Sequence, residues 1–223
     1  MTKSLDSASR YKNIAETKLA SLETKDGKLD FEAHLVAEAA DSMLKENPAY
    51  IGVSPFGSAV RGYSDENSDV DLAIFFDPSF LQGQLGAEKL VANTRDQISE
   101  KKLTSRNIHC LGTFVDKTAL FATLKSYNFS DVTLWLYIFS PNAIGPRVEE
   151  YRRMVADEIR NEPQEKKEQI INKLARAIVY GEREAIGKIR RRIPNATLGQ
   201  LNTILSRREK LWSKQIESIL NSA

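Results

Sequence analysis

The sequence predicts an α+β fold, a small mixed β-sheet flanked by helices, with a helical C-terminal subdomain. Three observations lead there. Short apolar runs rich in β-branched and aromatic residues are confined to residues 49–139. Helix-spaced apolar residues precede them, and beyond a break at Pro141, Gly145 and Pro146 every apolar pattern has helical spacing.

Taken in order, residues 5–24 and 31–46 read as helices. In the second, Phe31, Leu35, Ala39 and Leu44 recur at near-helical spacing and Pro48 ends it. Ala49–Val53 is a short strand leading into Pro55, and Val70–Phe76 is a second strand closed by Asp77-Pro78. Residues 85–101 read as a helix, Asn107–Phe114 as a third strand weakened by Gly112, and Thr118–Ser126 as a short helix. The run VTLWLYIF, Val132–Phe139, has the composition of a fourth strand. Thereafter Leu174, Ile178, Ile186 and Ile189, then Leu201, Leu205, Trp212, Ile216 and Leu220, mark amphipathic helices separated by Pro194. The expected division is residues 1–146, N-terminal helices plus sheet, and residues 147–223, helical, with the boundary near Pro141–Arg147. His34, Trp135 and Trp212 read as structural residues.

Composition narrows the function. With 41% hydrophobic and 28% charged residues the chain has the make-up of an ordinary globular protein. No apolar run is long enough for a membrane span, and the first residues lack the apolar stretch of a secretory signal. A lone cysteine, Cys110, excludes an internal disulfide and a thiolate zinc site, and points to a cytoplasmic setting. Net charge is +2 but unevenly spread: residues 151–223 carry 16 lysines and arginines against 9 acids. Five arginines lie in KIRRRIP and SRREK, segments that would contact an anionic partner such as RNA or present a solvated helical surface.

The chemistry concentrates in SPFGSAVRGYSDENSDVDLAIFF, Ser54–Phe76. Side chains alternate along a strand, so Asp69 and Asp71 share one face about 7 Å apart, opposite the apolar row Val70, Leu72, Ile74 and Phe76. Two carboxylates so placed repel each other unless a cation lies between them. Hard oxygen donors suit Mg²⁺ or Mn²⁺, which complete their shells with water and substrate phosphates. Upstream, Gly57 lets backbone N–H groups approach an anion, Ser58 adds a hydroxyl donor, Arg61 adds a charge, and Gly62 allows a tight turn.

The segment Ala49–Phe76 resembles the signature of the polymerase-β-like nucleotidyltransferase superfamily: an apolar strand, Gly-Ser, a short spacer with an internal glycine, then Ser-Asp-apolar-Asp-apolar. The resemblance implies transfer of a nucleotidyl group from an NTP to an acceptor hydroxyl with loss of pyrophosphate. It also implies that Gly57 and Ser58 hold the triphosphate and that Asp69 and Asp71 ligate the metals. The acceptor would be an RNA end, a protein side chain, a small molecule or another nucleotide. A third carboxylate is expected on the next core strand, where Asp116 stands at the far end and His109 near the start. Asp116 is taken as that acid, with the helix cap at Thr118 as its alternative role. His109 reads as a hydrogen-bonded sheet histidine or a general base. Asp131 reads as a loop residue. If His109 faces the aspartates and Asp116 points elsewhere, a degenerate binding or regulatory module gains ground.

Overall fold

The computed structural model describes residues 31–57, 68–81, 84–126, 134–180, 190 and 196–223. The helix expected over 5–24 therefore lies outside the described residues, as do Ser58, Arg61, Gly62 and Asp131. The fold is α+β. Helix α1 (Phe31–Leu44) leads into β1 (Tyr50–Phe56) and β2 (Val70–Phe76). A 3₁₀ turn (Pro78–Phe80), helix α2 (Gln84–Glu100), β3 (Ile108–Phe114) and α3 (Lys117–Ser126) follow. A 3₁₀ helix (Leu134–Phe139) precedes α4 (Val148–Ile159), α5 (Gln164–Tyr180) and α6 (Leu198–Ser222). The described strands form one sheet in the order β1-β2-β3, antiparallel between β1 and β2 and parallel between β2 and β3. The parallel pair needs a long connection, which α2 supplies.

Strand β2 is central, and the period of two sorts its residues between two cores. Val70, Leu72, Ile74 and Phe76 join Ile108 and the buried faces of α1 and α2. Ala73 and Phe75 face the other way, into a cluster with Ile51, Phe56 and the apolar residues of α4, α5 and α6. That second core crosses the expected boundary near residue 146 without a break. An aromatic chain marks the route: Phe56 packs against Tyr137 at 5.6 Å between ring centroids, and Tyr137 meets Trp212 at 6.5 Å. Both Trp135 and Trp212 are buried in this core.

Strand β1 has β2 on one side only, yet all seven of its residues are buried. Its other edge is covered by the turn after Pro141. Val53 and Ile144 exchange both backbone hydrogen bonds at 2.8 and 2.9 Å, and the Arg147 N–H donates to the Ile51 carbonyl. The approach is close because both sides use glycine. A Cβ on Gly145, whose φ is +145°, would lie 2.3 Å from the Gly52 Cα, and one on Gly52 would lie 2.6 Å from the Ile144 carbonyl oxygen.

Of the fourth strand expected at Val132–Phe139, the described residues Leu134–Phe139 form a 3₁₀ helix instead. Residues Trp135 to Phe139 are all buried, so the run has no polar-facing side to give it a period, and composition alone cannot separate a strand from a buried turn. The carbonyls of Ile138 and of Ser140 just beyond the run bond to an arginine. The buried Arg152 donates from Nε to the Ile138 carbonyl at 2.9 Å and from Nη2 to the Ser140 carbonyl at 2.6 Å. Helix α6 opens with a capping box, Thr197 and Gln200 each satisfying the other's backbone N–H.

At the exit of β2, Asp77 ties the sheet to α4. Its Oδ1 accepts from the Ser79 N–H and hydroxyl, and its Oδ2 accepts from Arg147 Nη2 at 2.9 Å and the Tyr151 hydroxyl at 3.1 Å. Burial alone would raise the Asp77 pKa. The bonds from Ser79, Arg147 and Tyr151 outweigh it and hold the carboxyl below its ordinary 3.8. A depressed folded-state pKa contributes stability that is present above the unfolded value and lost as pH falls through the folded one. Replacing Asp77 with Asn, which weakens the charge-assisted bonds from Arg147 and Tyr151, should therefore cost about 2 kcal/mol at pH 7 in urea unfolding. The gap from the wild type should narrow as pH falls below 3.8 and through the lowered folded-state pKa, where the wild-type carboxyl takes up its proton.

Candidate active site

The carboxylates come together at the entry of β2. Asp69 stands one residue before the strand and Asp71 is its second residue, both on the face that carries Ala73 and Phe75 further along. The side chains are 40% and 21% exposed, so the pair is reachable from solvent while its strand is buried.

Strand β1 brings Gly57 against them. Phe56 is the register partner of Asp71, and Gly57 follows with φ +66°. A Cβ at Gly57 would sit 2.4 Å from Asp71 Oδ2. Only a residue without a side chain lets the backbone pass the carboxylate this closely.

Strand β3 supplies the third wall. Its parallel register sets His109 opposite Asp71, with imidazole Nδ1 3.5 Å from Asp71 Oδ1 and 3.7 Å from Asp69 Oδ2. These contacts are longer than the roughly 2.7–3.2 Å of a hydrogen bond, so they are electrostatic neighbours. Two residues missed in the sequence complete the wall. Asn107 Nδ2 donates to Asp69 Oδ1 at 3.2 Å, and Arg106 donates to the carbonyls of Ser68 and Asp69. Arg106 lies in a polar run outside the predicted elements and Asn107 reads only as the first residue of the third strand, and no motif marks either.

Asp116 is not brought to this site. It follows the far end of β3, seven residues beyond His109, about 20 Å away at the rise of a strand. Its Oδ1 accepts from the Ala119 N–H at 2.9 Å and its carbonyl accepts from Leu120 N–H, so it caps α3. His34 is also elsewhere, paired with Glu38 on α1. Of the arginines in the basic segments, Arg190 and Arg207 are exposed, whereas Arg208 is buried at 4% exposure. Arg191 and Arg192 lie outside the described residues.

The donor set fits a hard divalent cation. Two carboxylates on one face, 40% and 21% exposed, offer oxygen ligands, with backbone rather than side chain beside them at Gly57. Among the described residues no group of three or more histidine, cysteine, aspartate and glutamate side chains is arranged to hold a metal ion. A cation here would keep positions for water and phosphate oxygens, as Mg²⁺ commonly does. Cys110 offers no thiolate: burial pushes its thiol up to about 12, with Arg95 lowering it in smaller measure. No described helix is long and apolar enough to cross a membrane.

Residues 36–125, which contain β1, β2, β3 and the acidic pair, match the nucleotidyltransferase domain family. Comparison with curated proteins gives no significant match. Among solved structures, spectinomycin adenyltransferase AAD(9) from Enterococcus faecialis, determined with ATP and spectinomycin, aligns over 84% of this chain and 98% of its own. Identity over that alignment is 16% and the TM-score is 0.34.

The closeness of Gly57 to Asp71 is testable by a double-mutant cycle. Gly57→Ala adds a positive-φ penalty of about 1–2 kcal/mol and a collision with the carboxylate. In an Asp71→Ala background the collision is gone and only the conformational part should remain. Urea unfolding of the four proteins measures the difference.

Proposed function

We propose a specific reaction for this chain, supported by the match of residues 36–125 to the nucleotidyltransferase domain family. The chain moves a nucleoside monophosphate from an NTP to an acceptor hydroxyl with release of pyrophosphate, using Mg²⁺ or Mn²⁺ held by Asp69 and Asp71. The observation that carries this reading is the placement of the two carboxylates. They share one face at the mouth of a buried strand, with the Gly57 backbone against Asp71.

Chemically, the acceptor oxygen forms a bond to the α-phosphorus while the bond between that phosphorus and the pyrophosphate oxygen breaks. The acceptor's hydroxyl proton goes to solvent or to a nearby base. When bound, the divalent cation supplies positive charge against the phosphate oxygens of this in-line displacement. Asp69 and Asp71 hold that charge at the edge of a rigid strand. Gly57 leaves backbone, not side chain, next to the phosphate path, and Ser58 and Arg61 would donate to phosphate oxygens from the segment that follows. The remainder of such catalysis is positioning and charge neutralisation. The protein is expected to act in the cytoplasm. The excess of basic residues in the C-terminal part, with Arg190 and Arg207 exposed, would suit a nucleic-acid acceptor.

A second reading, a domain that binds nucleotide with little transfer, has one observation in its favour. His109 flanks the aspartates, and Asp116, expected as a third acid, caps a helix instead.

One experiment separates the two. Each labelled NTP is incubated with the protein, Mg²⁺ or Mn²⁺ and a cell extract, and pyrophosphate release and the labelled acceptor are followed. Metal-dependent release that Asp71→Asn reduces to background, with the melting temperature kept or raised by relief of carboxylate repulsion, supports the transferase. Binding of NTP without release supports the second reading. Full activity in Asp71→Asn removes the acidic pair from the mechanism.

A further inference from the structure

We infer that Asn107 and Arg106 are positioning residues for Asp69: Arg106 fixes its backbone and Asn107 sets the rotation of its carboxylate. This rests on the proposed role of Asp69 and Asp71 as the cation-holding pair.

Asp69 precedes β2, so strand pairing does not fix it; the parallel register begins at Val70 and Ile108. The dipeptide Arg106-Asn107 extends the hold by one step. The Asn107 carbonyl accepts from Val70 N–H at 2.8 Å. Arg106 Nε donates to the Ser68 carbonyl at 2.5 Å, and Nη2 donates to the Asp69 carbonyl at 3.1 Å. The guanidinium is only 5% exposed and is itself anchored. Nη1 lies 3.6 Å from Glu32 of α1, Thr104 donates to the same Glu32 oxygen at 2.7 Å, and Arg106 N–H donates to Thr104 Oγ1 at 3.0 Å.

The side-chain contact is of a different kind. Asp69, when ionised, can only accept, so the Asn107 amide must present its NH₂ group to Oδ1, as it does at 3.2 Å. That bond takes one oxygen and leaves Oδ2 on the side of His109 and Asp71, 3.7 Å from His109 Nδ1. A carboxylate turns about a broad, two-fold torsion. One donor on Oδ1 is enough to choose which oxygen faces the neighbouring acid. The donor is neutral, so it orients the carboxylate without cancelling the charge a cation needs. Arg106 carries charge; it bridges the carbonyls of Ser68 and Asp69 and lies beside Glu32. Partners that orient metal-ligating carboxylates commonly change metal affinity by about 10- to 100-fold when removed.

The test uses the full chain and Mn²⁺ with ATP as probes, with Mn²⁺ binding read by electron paramagnetic resonance and folding by thermal melting. Asn107→Leu should weaken Mn²⁺ binding about tenfold or more while leaving the melting temperature unchanged, because the side chain is exposed. Asn107→Gln, which keeps the donor on a longer arm, should recover part of that loss. Arg106→Lys should also weaken binding, since an ammonium cannot bridge the two carbonyls as the guanidinium fork does. Wild-type Mn²⁺ affinity in a folded Asn107→Leu overturns the orienting role, and the same result in Arg106→Lys reduces the arginine to a structural tie. Asp71→Asn is the control. If it binds Mn²⁺ as the wild type does, the cation-holding pair itself is wrong and the inference falls with it.

Discussion

Everything in this structure is arranged around a strand with no free face. Strand β2 lies between two hydrophobic cores and between two neighbouring strands, so charge is admissible only at its ends. Both ends carry aspartate, and the two ends are treated in opposite ways. At the exit, Asp77 accepts from a backbone N–H, a serine, an arginine and a tyrosine, and its carboxylate is a structural tie between sheet and helix. At the entry, two acids are crowded onto one face, partly open to solvent, with one neutral donor turning one of them. The same residue type on one strand thus serves cohesion at one end and stands partly open to solvent at the other. Partners, not residue identity, make the difference.

The core that faces the acidic pair also explains why the C-terminal helices matter to it. Phe75 and Ala73 continue the face of Asp69 and Asp71 directly into the packing of α4, α5 and α6. From Phe56, one residue before Gly57, the contact with Tyr137 and then Trp212 runs into α6. Disturbing that packing would move the floor beneath the site. The C-terminal helices are part of the sheet's support, and the excess of basic charge there sits on a scaffold continuous with the strand carrying the acids.

Much of this was legible in the sequence, and the failures have physical causes. Val70–Phe76 announced itself because an apolar row alternated with two acids, and the structure keeps both the boundaries and the faces. Along β3 the same alternation sets His109 opposite Asp71 while Ile108 and Cys110 join the other core. It could not carry Asp116 to the aspartates, because β3 runs in parallel and ends at the wrong end of β2; the cap signal at Asp116 was the local information that held. Leu134–Phe139 misled because a run buried on every side has no period, and the deciding partner, Arg152, comes from a later helix. Arg106 and Asn107 were invisible for the same reason. Their role depends on what lies across a strand pair, 37 and 38 residues away in sequence.

The juncture of Gly52 and Gly145 has a consequence for how this chain can change over evolutionary time. At Gly112 the atom nearest to an added Cβ is a methyl group of Val91, at 3.0 Å, so a smaller residue at 91 could make room and the two positions could drift together. At Gly145 the obstacles are the Gly52 Cα and the Ile51 carbonyl, which are main chain. No exchange elsewhere removes a backbone atom, so this crossing has no suppressor. A lineage can lose it only by rebuilding the turn that seals the outer edge of β1.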